Sequence, residues 1–221
     1  MALNNLQKAV IEELAASGLR DHFYWTGGTL LSEKYLHHRG SQDIDFFSDK
    51  PFRYEDIAPM IKNLKKRLNF SGVEEKKIFD RWEFFLHNHE EVRVEFVHYD
   101  FPALGKREIW EGVYTDSLDD ISANKVMALL DRDEPKDVFD IYFLIKKAAY
   151  APRKLLMLAK KKFGVMIDES TLFGEALRRC RKLTYIRPLL EGSEQEQQQT
   201  LKEVKDYFEN QSWKYLRHRF Q

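Results

Sequence analysis

The spacing of apolar residues changes near residue 115, and this change restricts the folds open to the chain. Up to that point, apolar runs of strand length alternate with stripes of helical period. From about Ile121 onward, the period is helical throughout. We therefore predict an α/β (α+β) chain, with a mixed-sheet domain over residues 1–115 and a helical region over residues 116–221.

Individual elements can be placed within this outline. Apolar residues at helical spacing predict amphipathic helices over residues 3–14 and 57–68. Ser193 followed by Glu196 is a capping-box pattern, which predicts the start of the last helix. Strands are predicted at residues 23–25, 44–47, 73–79, 82–87 and 92–97, with Asn88-His89-Glu90 turning a hairpin between the last two.

The composition excludes several classes of protein. The 36 Lys and Arg balance 36 Asp and Glu, and a hydrophobic fraction of 43% excludes a disordered chain. Apolar runs such as residues 126–130 are far shorter than a membrane span. The single cysteine, Cys180, excludes an intrachain disulfide and a cysteine zinc site. We expect a soluble, cytoplasmic protein that does not contact a membrane.

Charge is distributed unevenly despite the balanced total. Between Lys146 and Arg187 there are twelve lysines and arginines against three acids, a net charge of +9. This window is consistent with a surface that faces a polyanion. A set of solvated helix faces explains the same composition equally well.

Two short segments carry residue types suited to phosphate and metal chemistry. Gly27 and Gly28 stand where a predicted strand ends and a helix begins, so backbone N–H groups there can approach a phosphate closely. Downstream, Asp43 and Asp45 are two residues apart on a predicted strand, so their carboxylates project from one face. A bound divalent cation would relieve their repulsion, and Mg²⁺ suits such oxygen ligands.

These segments resemble the nucleotidyltransferase superfamily of DNA polymerase beta-like fold, and more closely the AbiEii/AbiGii-type nucleotidyltransferases. Many members of that family are toxins of toxin–antitoxin and phage abortive-infection systems. The family pattern is Gly-Gly-Thr-x-Leu followed by Arg-x-Ser-x-Asp-x-Asp. The matching residues here are Gly27, Gly28, Thr29 and Leu31, then Arg39, Ser41, Asp43 and Asp45.

A second block of the family pattern lies in the helical region. It consists of a helix carrying a lysine and then a helix with Arg-Asp-x-x-Asp. Lys125, Asp137 and Asp140 match this block, while Lys136 replaces the arginine and puts its bidentate contacts in question. Asp137 lies in the first helical turn, where the dipole alone favours a carboxylate, and Asp140 lies one turn deeper.

The resemblance implies a polymerase beta-like fold and an enzyme that transfers a nucleoside monophosphate from an NTP to an acceptor. Asp43 and Asp45 would hold Mg²⁺ or Mn²⁺, and the Gly27-Gly28-Thr29 turn would bind the triphosphate. Arg39 and Ser41 would position phosphate or the metal-binding strand.

The helical region would complete the active site and bind the acceptor. Lys125, whose side chain is expected to reach out of the packed helix face, would neutralise phosphate charge. Asp137 would contribute to nucleotide binding, and Asp140 would orient Lys125, the base or the acceptor.

Glu95 has two interpretations. Val92, Val94 and Phe96 alternate toward the core, so Arg93 and Glu95 share the other face of their strand. Polymerase beta-like enzymes commonly place a third metal-binding carboxylate on such a neighbouring strand, which would make Glu95 a ligand. An exposed strand glutamate that pairs with the neighbours of Arg93 fits the sequence equally well.

The resemblance also implies partners. RNA, with tRNA-like ends as one class, would be the acceptor, and a cognate antitoxin would be a protein partner. Two alternatives stay open: a small-molecule acceptor, as in aminoglycoside nucleotidyltransferases, and a nucleotide- or antitoxin-binding protein without catalysis.

Overall fold

The computed structural model describes residues 3–68, 70, 72–87 and 90–219. They form two compact units. The first, here called the sheet unit, contains the residues up to His37 and Ser41–Leu118, and the second, the helical unit, contains His38–Gly40 and the residues from Asp119 onward. These units differ from the two predicted domains in the assignment of His38–Gly40 and of residues 116–118.

The described residues of the sheet unit form a seven-stranded mixed sheet. Its order is β3-β4-β5-β2-β1-β7-β6. β2 runs parallel to β5 and β1 parallel to β7, whereas the other neighbours are antiparallel. The predicted mixed α/β class is confirmed. The strands are β1 (Tyr24–Thr26), β2 (Ile44–Ser48), β3 (Gly72–Ile78), β4 (Arg81–His87), β5 (Glu91–His98), β6 (Glu108–Trp110) and β7 (Val113–Thr115).

Three α-helices accompany the sheet in the described part of this unit: α1 (Asn5–Ala16), α2 (Gly27–Leu30) and α3 (Tyr54–Leu68). A π-helical segment, Leu31–Leu36, continues α2. α1 begins at a capping box, in which the Asn4 side chain accepts from the backbone of Gln7. It contacts α3 and strands β5 and β7.

The core of the sheet unit comes from the strand faces that the apolar alternation predicts. Ile44 and Phe46 on β2, and Val94 and Phe96 on β5, are fully buried. The ring of Phe96 packs against that of Phe46, with centroids 5.4 Å apart. Because alternate residues of a strand point to opposite faces, this packing leaves the other face of β2 and β5 for polar side chains.

The hairpin of β6 and β7 was not predicted. Its strands have three residues each, and its turn is Glu111-Gly112, with φ of 51° and 79°. Positive φ at both positions is the geometry of a type I′ turn, but glutamate in the first position is not its usual signature. Trp110 stacks on Trp25 of β1 with ring centroids 5.3 Å apart, a contact between distant residues that no local pattern indicates. The predicted turn residues Asn88 and His89 lie outside the described residues.

The helical unit contains α4 (Leu118–Asp131, whose first residue belongs to the sheet unit), α5 (Pro135–Lys146), α6 (Pro152–Phe163), α7 (Glu169–Arg179), a 3₁₀ segment (Cys180–Leu189) and α8 (Glu194–Arg219). The predicted capping box of α8 is confirmed, because Ser193 N donates to Glu196 Oε2 over 2.7 Å and Glu196 N donates to Ser193 Oγ. Among the helices described, none combines the length and apolar character needed to cross a membrane.

Candidate functional site

Gly27 lies where β1 ends and α2 begins, directly beside Asp45. Thr26, the last residue of β1, pairs in register with Asp45 on β2. Gly27 has a φ of 81°, and a Cβ at this position would lie 1.8 Å from Asp45 Oδ2. The turn therefore requires glycine both for its backbone conformation and for the space that the Asp45 carboxylate occupies.

Thr29 and Ser41 hold the segment that leads into β2. The Thr29 hydroxyl, which is buried, donates a hydrogen bond to the backbone carbonyl of Asp43. The carbonyl of Ser41 accepts a hydrogen bond of 2.8 Å from Gln7 Nε2 on α1. Both contacts fix the backbone that presents Asp43. The roles of Thr29, Ser41 and Gly28, the second residue of α2, in nucleotide binding stay predictions.

Acidic side chains form a row across three neighbouring strands. Glu95 on β5 pairs in register with Asp45 on β2 and with Glu83 on β4. Register partners point to the same face of a sheet, about 5 Å apart, so these three carboxylates are neighbours. Glu95 is 6% exposed and Glu83 is 4% exposed. Glu95 is thus not the exposed glutamate of the second interpretation.

Two arginines lie among these carboxylates. Arg93 Nη2 is 2.8 Å from Asp43 Oδ2 and 3.1 Å from Glu95 Oε1. Arg81 Nε is 3.0 Å from Glu83 Oε1, and its Nη1 is 3.5 Å from Glu95 Oε2. No role was predicted for Arg81, Arg93 or Glu83. The signal for Arg93 was present, because strand alternation places it on the same face as Glu95.

The protonation equilibria reflect this concentration of charge. Burial raises the pKa of Glu95, the two arginines offset part of that rise, and Glu83 and Asp43 add to it. Burial lowers the pKa of Arg93, but Asp43, Glu95 and Asp45 outweigh it and raise the pKa overall. The carboxylates of Asp43, Glu83 and Glu95 thus contact the guanidinium groups of Arg81 and Arg93.

The carboxylates are not drawn together into a ready ligand set. Within the described ranges, no group of three or more His, Cys, Asp or Glu side chains is arranged to hold a metal ion. Between Asp43 and Glu95 lies a nitrogen of Arg93, within 3.1 Å of an oxygen of each.

Four further predicted site residues lie in the helical unit, in a buried ion cluster around Asp140. Arg39 donates two hydrogen bonds to the Asp140 carboxylate, of 2.7 Å from Nε and 2.8 Å from Nη2. Lys125 Nζ lies 2.7 Å from Oδ2 of the same carboxylate, and His38 Nε2 lies 2.7 Å from Oδ1. Burial raises the pKa of Asp140, but Arg39 and Lys125 outweigh it and hold the pKa well below its ordinary value. Asp140 is therefore ionised.

Asp137 extends the cluster by one helical turn. Its carboxylate lies 3.0 Å from Lys125 Nζ and accepts hydrogen bonds of 2.6 and 2.9 Å from Nε and Nη2 of Arg132. Arg132 thus supplies a bidentate guanidinium contact that Lys136 cannot make. The expectation that Lys125 reaches out of the packed helix face is wrong, because it is 6% exposed and pairs with two carboxylates of α5.

The basic window is less uniform than its composition indicates. Lys162 is buried and lies 2.8 Å from Asp120 Oδ1. Arg179 is buried too, and it donates to the backbone carbonyls of Arg132 and Leu130. These two cations stabilise the helical unit and are not available to a ligand. Other members of the window are exposed, among them Lys147, Lys160, Lys161 and Arg181.

The candidate residues therefore form two groups, each within one compact unit. The sheet unit contains Gly27, Gly28, Thr29, Ser41, Asp43, Asp45 and Glu95, and the helical unit contains Arg39, Lys125, Asp137 and Asp140. Arg39 is separated from Ser41 by a single residue, yet its side chain is committed to the helical unit.

The chain is similar to known proteins over most of its length. Residues 9–210 match the family described as "Nucleotidyl transferase AbiEii toxin, Type IV TA system". An uncharacterised protein of Aquifex aeolicus is 28% identical over 218 residues, which cover 97% of this chain and 98% of that protein. The crystal structure of JHP933 from Helicobacter pylori has a TM-score of 0.58 at 18% identity, covering 99% of this chain and 97% of its own. A proposed nucleotidyltransferase from H. pylori has a TM-score of 0.59 at 18% identity, with coverages of 95% and 92%.

Proposed function

The chain belongs to the AbiEii nucleotidyl transferase toxin family and is a nucleotidyltransferase, and on that basis we propose that it transfers a nucleoside monophosphate from an NTP to RNA in a reaction that depends on Mg²⁺ or Mn²⁺. The observation that carries the proposal is the placement of Asp45 beside the Gly27 turn, with Glu95 as its register partner and Arg93 joining Glu95 to Asp43. Carboxylates on adjacent strands beside a glycine turn are suited to a triphosphate and its cation.

The residues present fit a hard divalent cation. Asp43, Asp45 and Glu95 offer oxygen atoms, which such cations prefer, and Gly27 leaves room for the Asp45 carboxylate. Two of these carboxylates, Asp43 and Glu95, already contact a positive charge, the Arg93 guanidinium. When bound, the cation would neutralise charge on the phosphates and favour departure of pyrophosphate.

The other residues have roles in binding and orientation. Backbone N–H groups at Gly28 and Thr29 would donate to phosphate oxygens at the start of α2. The role of Lys125 in neutralising developing negative charge stays a prediction, because its ammonium is buried and already pairs with Asp140 and Asp137. Asp140 would orient the side chains of Lys125 and Arg39, and Asp137 would help to orient Lys125.

The RNA acceptor is supported by exposed positive charge on the helical unit. Lys160 and Lys161 on α6, with Lys147 and Arg181, offer cations for phosphate contacts. The family description further supports a role as the toxin of a type IV toxin–antitoxin system, with a cognate antitoxin as protein partner.

Transfer of label from an NTP to an RNA pool tests the reaction. We expect Asp45→Asn to lower the labelling rate by at least about 100-fold, a loss typical for removal of a charge aimed at the transition state. Asp100→Asn, at an exposed position of the same unit, is the matched control and should label RNA at the wild-type rate. A wild-type rate for Asp45→Asn would overturn the proposed site. Label on a small-molecule hydroxyl compound added to the same reaction, with no label on RNA, would replace RNA by a small-molecule acceptor.

Expression in bacteria tests the toxin role. Induction of the wild-type chain should arrest growth, whereas induction of Asp45→Asn at an equal protein level should not. Equal growth arrest by both chains would separate toxicity from nucleotidyl transfer.

A further inference from the structure

Arg93 lies between two of the proposed metal ligands, Asp43 and Glu95. One nitrogen, Nη2, contacts both Asp43, at 2.8 Å, and Glu95, at 3.1 Å. We infer that Arg93 is the internal counter-cation of this carboxylate group, and that a divalent cation competes with its guanidinium for Asp43 and Glu95. The inference rests on the proposed function, because it takes these carboxylates as the metal ligands.

The strand geometry makes this position of Arg93 a consequence of the fold. Val94 of β5 pairs in register with Ile44 of β2, so Arg93 lies level with Asp43, the residue before Ile44. Glu95, two residues further along β5, points to the same face and pairs with Asp45. The side chain of Arg93 therefore has both Asp43 and Glu95 within reach.

The repulsion among the carboxylates explains why the Arg93 guanidinium is held beside Asp43 and Glu95. Asp43, Asp45, Glu95 and Glu83 share one region, and Glu95 and Glu83 are buried. Like charges at such spacing repel one another, and a guanidinium lowers the free energy of the group. A cation of higher charge that binds the same oxygens would make the contact of Arg93 redundant.

Arg93 is also held loosely enough to leave. Its side chain is 34% exposed, both of its acidic contacts use the same nitrogen, and its Nε has no hydrogen-bond partner among the described residues. Arg39 in the helical unit shows the opposite case, since it makes a two-point contact with Asp140 and its side chain is 1% exposed. A single-point, part-exposed contact is the geometry of an exchangeable partner.

Calorimetry with Mn²⁺ alone, without nucleotide, tests the competition. We expect Arg93→Ala to bind Mn²⁺ about tenfold tighter than the wild-type chain, because the ion no longer displaces a guanidinium. Arg93→Lys keeps a charge on a flexible stem and should fall between the two. Arg81→Ala is the matched control: it removes an arginine that contacts Glu83 and Glu95, and it should change the affinity by less than Arg93→Ala.

Thermal unfolding gives a second readout. Without metal, Arg93→Ala should melt below the wild-type chain because its carboxylates lack their counter-cation. Saturating Mn²⁺ should then raise the Tm of Arg93→Ala more than that of the wild-type chain, since an ion that binds only the folded state stabilises it according to its affinity.

The outcomes separate this inference from the proposed function. Unchanged or weaker Mn²⁺ binding by Arg93→Ala, together with loss of binding by Asp45→Asn, would overturn the inference and leave the metal site intact. Absence of Mn²⁺ binding in every chain, or equal binding by Asp45→Asn and the wild-type chain, would overturn the metal site and the inference with it.

Discussion

Replacement of Asp140 by asparagine removes the negative charge at the centre of the ion cluster in the helical unit. The Asp140 carboxylate is completely buried and contacts Arg39, Lys125 and His38 at 2.7–2.8 Å. The substitution keeps the size of the side chain but leaves the Arg39 guanidinium, with a side chain 1% exposed, without its anionic partner. We expect a loss of folding stability in addition to any loss of activity.

The size of this loss follows from the burial of the pair. Removal of one partner from a buried ion pair typically costs about 3–5 kcal/mol, because an uncompensated charge stays in the interior. For a chain of this length, each kcal/mol lowers Tm by about 2–4 °C, so Tm should fall by roughly 6–20 °C. Lys125→Met should cost less, because Asp140 then keeps Arg39 and Asp137 keeps Arg132.

Urea and thermal unfolding followed by circular dichroism provide the measurement. Asp133→Asn is the control, since Asp133 pairs with Lys182 at 2.6 Å on the protein surface, and its unfolding midpoint should match that of the wild-type chain. A wild-type midpoint for Asp140→Asn would refute the argument that this carboxylate holds the cluster together. Wild-type stability combined with lost nucleotidyl transfer would assign Asp140 to chemistry alone.

Three further predictions concern other parts of the molecule. Gly27→Ala should abolish Mn²⁺ binding in calorimetry, because its Cβ would lie 1.8 Å from Asp45 Oδ2. Gly164→Ala is the control, because Gly164 has a φ of 72° and nothing within 4 Å, so that its substitution adds backbone strain alone. Equal Mn²⁺ affinity of the two variants would contradict the steric argument. Neutralising Lys160 and Lys161 should reduce the salt dependence of RNA binding: the slope of log affinity against log salt concentration should be lower by about 1 per phosphate contact. Lys162→Met should instead lower Tm, because it loses its buried pair with Asp120. An unchanged slope for the Lys160 and Lys161 variant would place the RNA elsewhere. Burial lowers the pKa of His38. The free energy of unfolding is therefore highest above the unfolded pKa of about 6.5, and it decreases at lower pH by at most about 1.4 kcal/mol per pH unit. His38→Gln should lose this pH dependence, and parallel pH profiles of the variant and the wild-type chain would refute the assignment to His38.

The part of the candidate site that could be predicted from the sequence is the part encoded in short segments. Strand alternation around Ile44 and Phe46 correctly predicted which side chains are buried, and hence the face that Asp45 occupies. Gly27 and Gly28 predicted a turn. The structure shows why glycine is required at position 27, because the missing Cβ leaves space for the Asp45 carboxylate.

The partners of the charged residues could not be predicted in the same way. The sequence predicts that Lys125 reaches out of the packed helix face, yet α5 supplies two carboxylates that pair with it. Lys162 and Arg179 were counted with an outward basic surface, although both are buried. Whether a lysine faces water or an aspartate depends on which helix packs over it. The spacing of apolar residues near that lysine in the sequence does not indicate which helix this is.

By itself, the sequence determined the order of the elements other than β6 and β7, the buried faces of the main strands and the family, because periodicity, turn chemistry and motif spacing are properties of neighbouring residues. Only the tertiary structure decided that β7 joins β1, that Glu83 lies beside Glu95, and that Arg93 bridges Asp43 and Glu95. These pairings join residues distant in the chain, and they are selected by sheet register and by the free-energy cost of burying a charge without a partner.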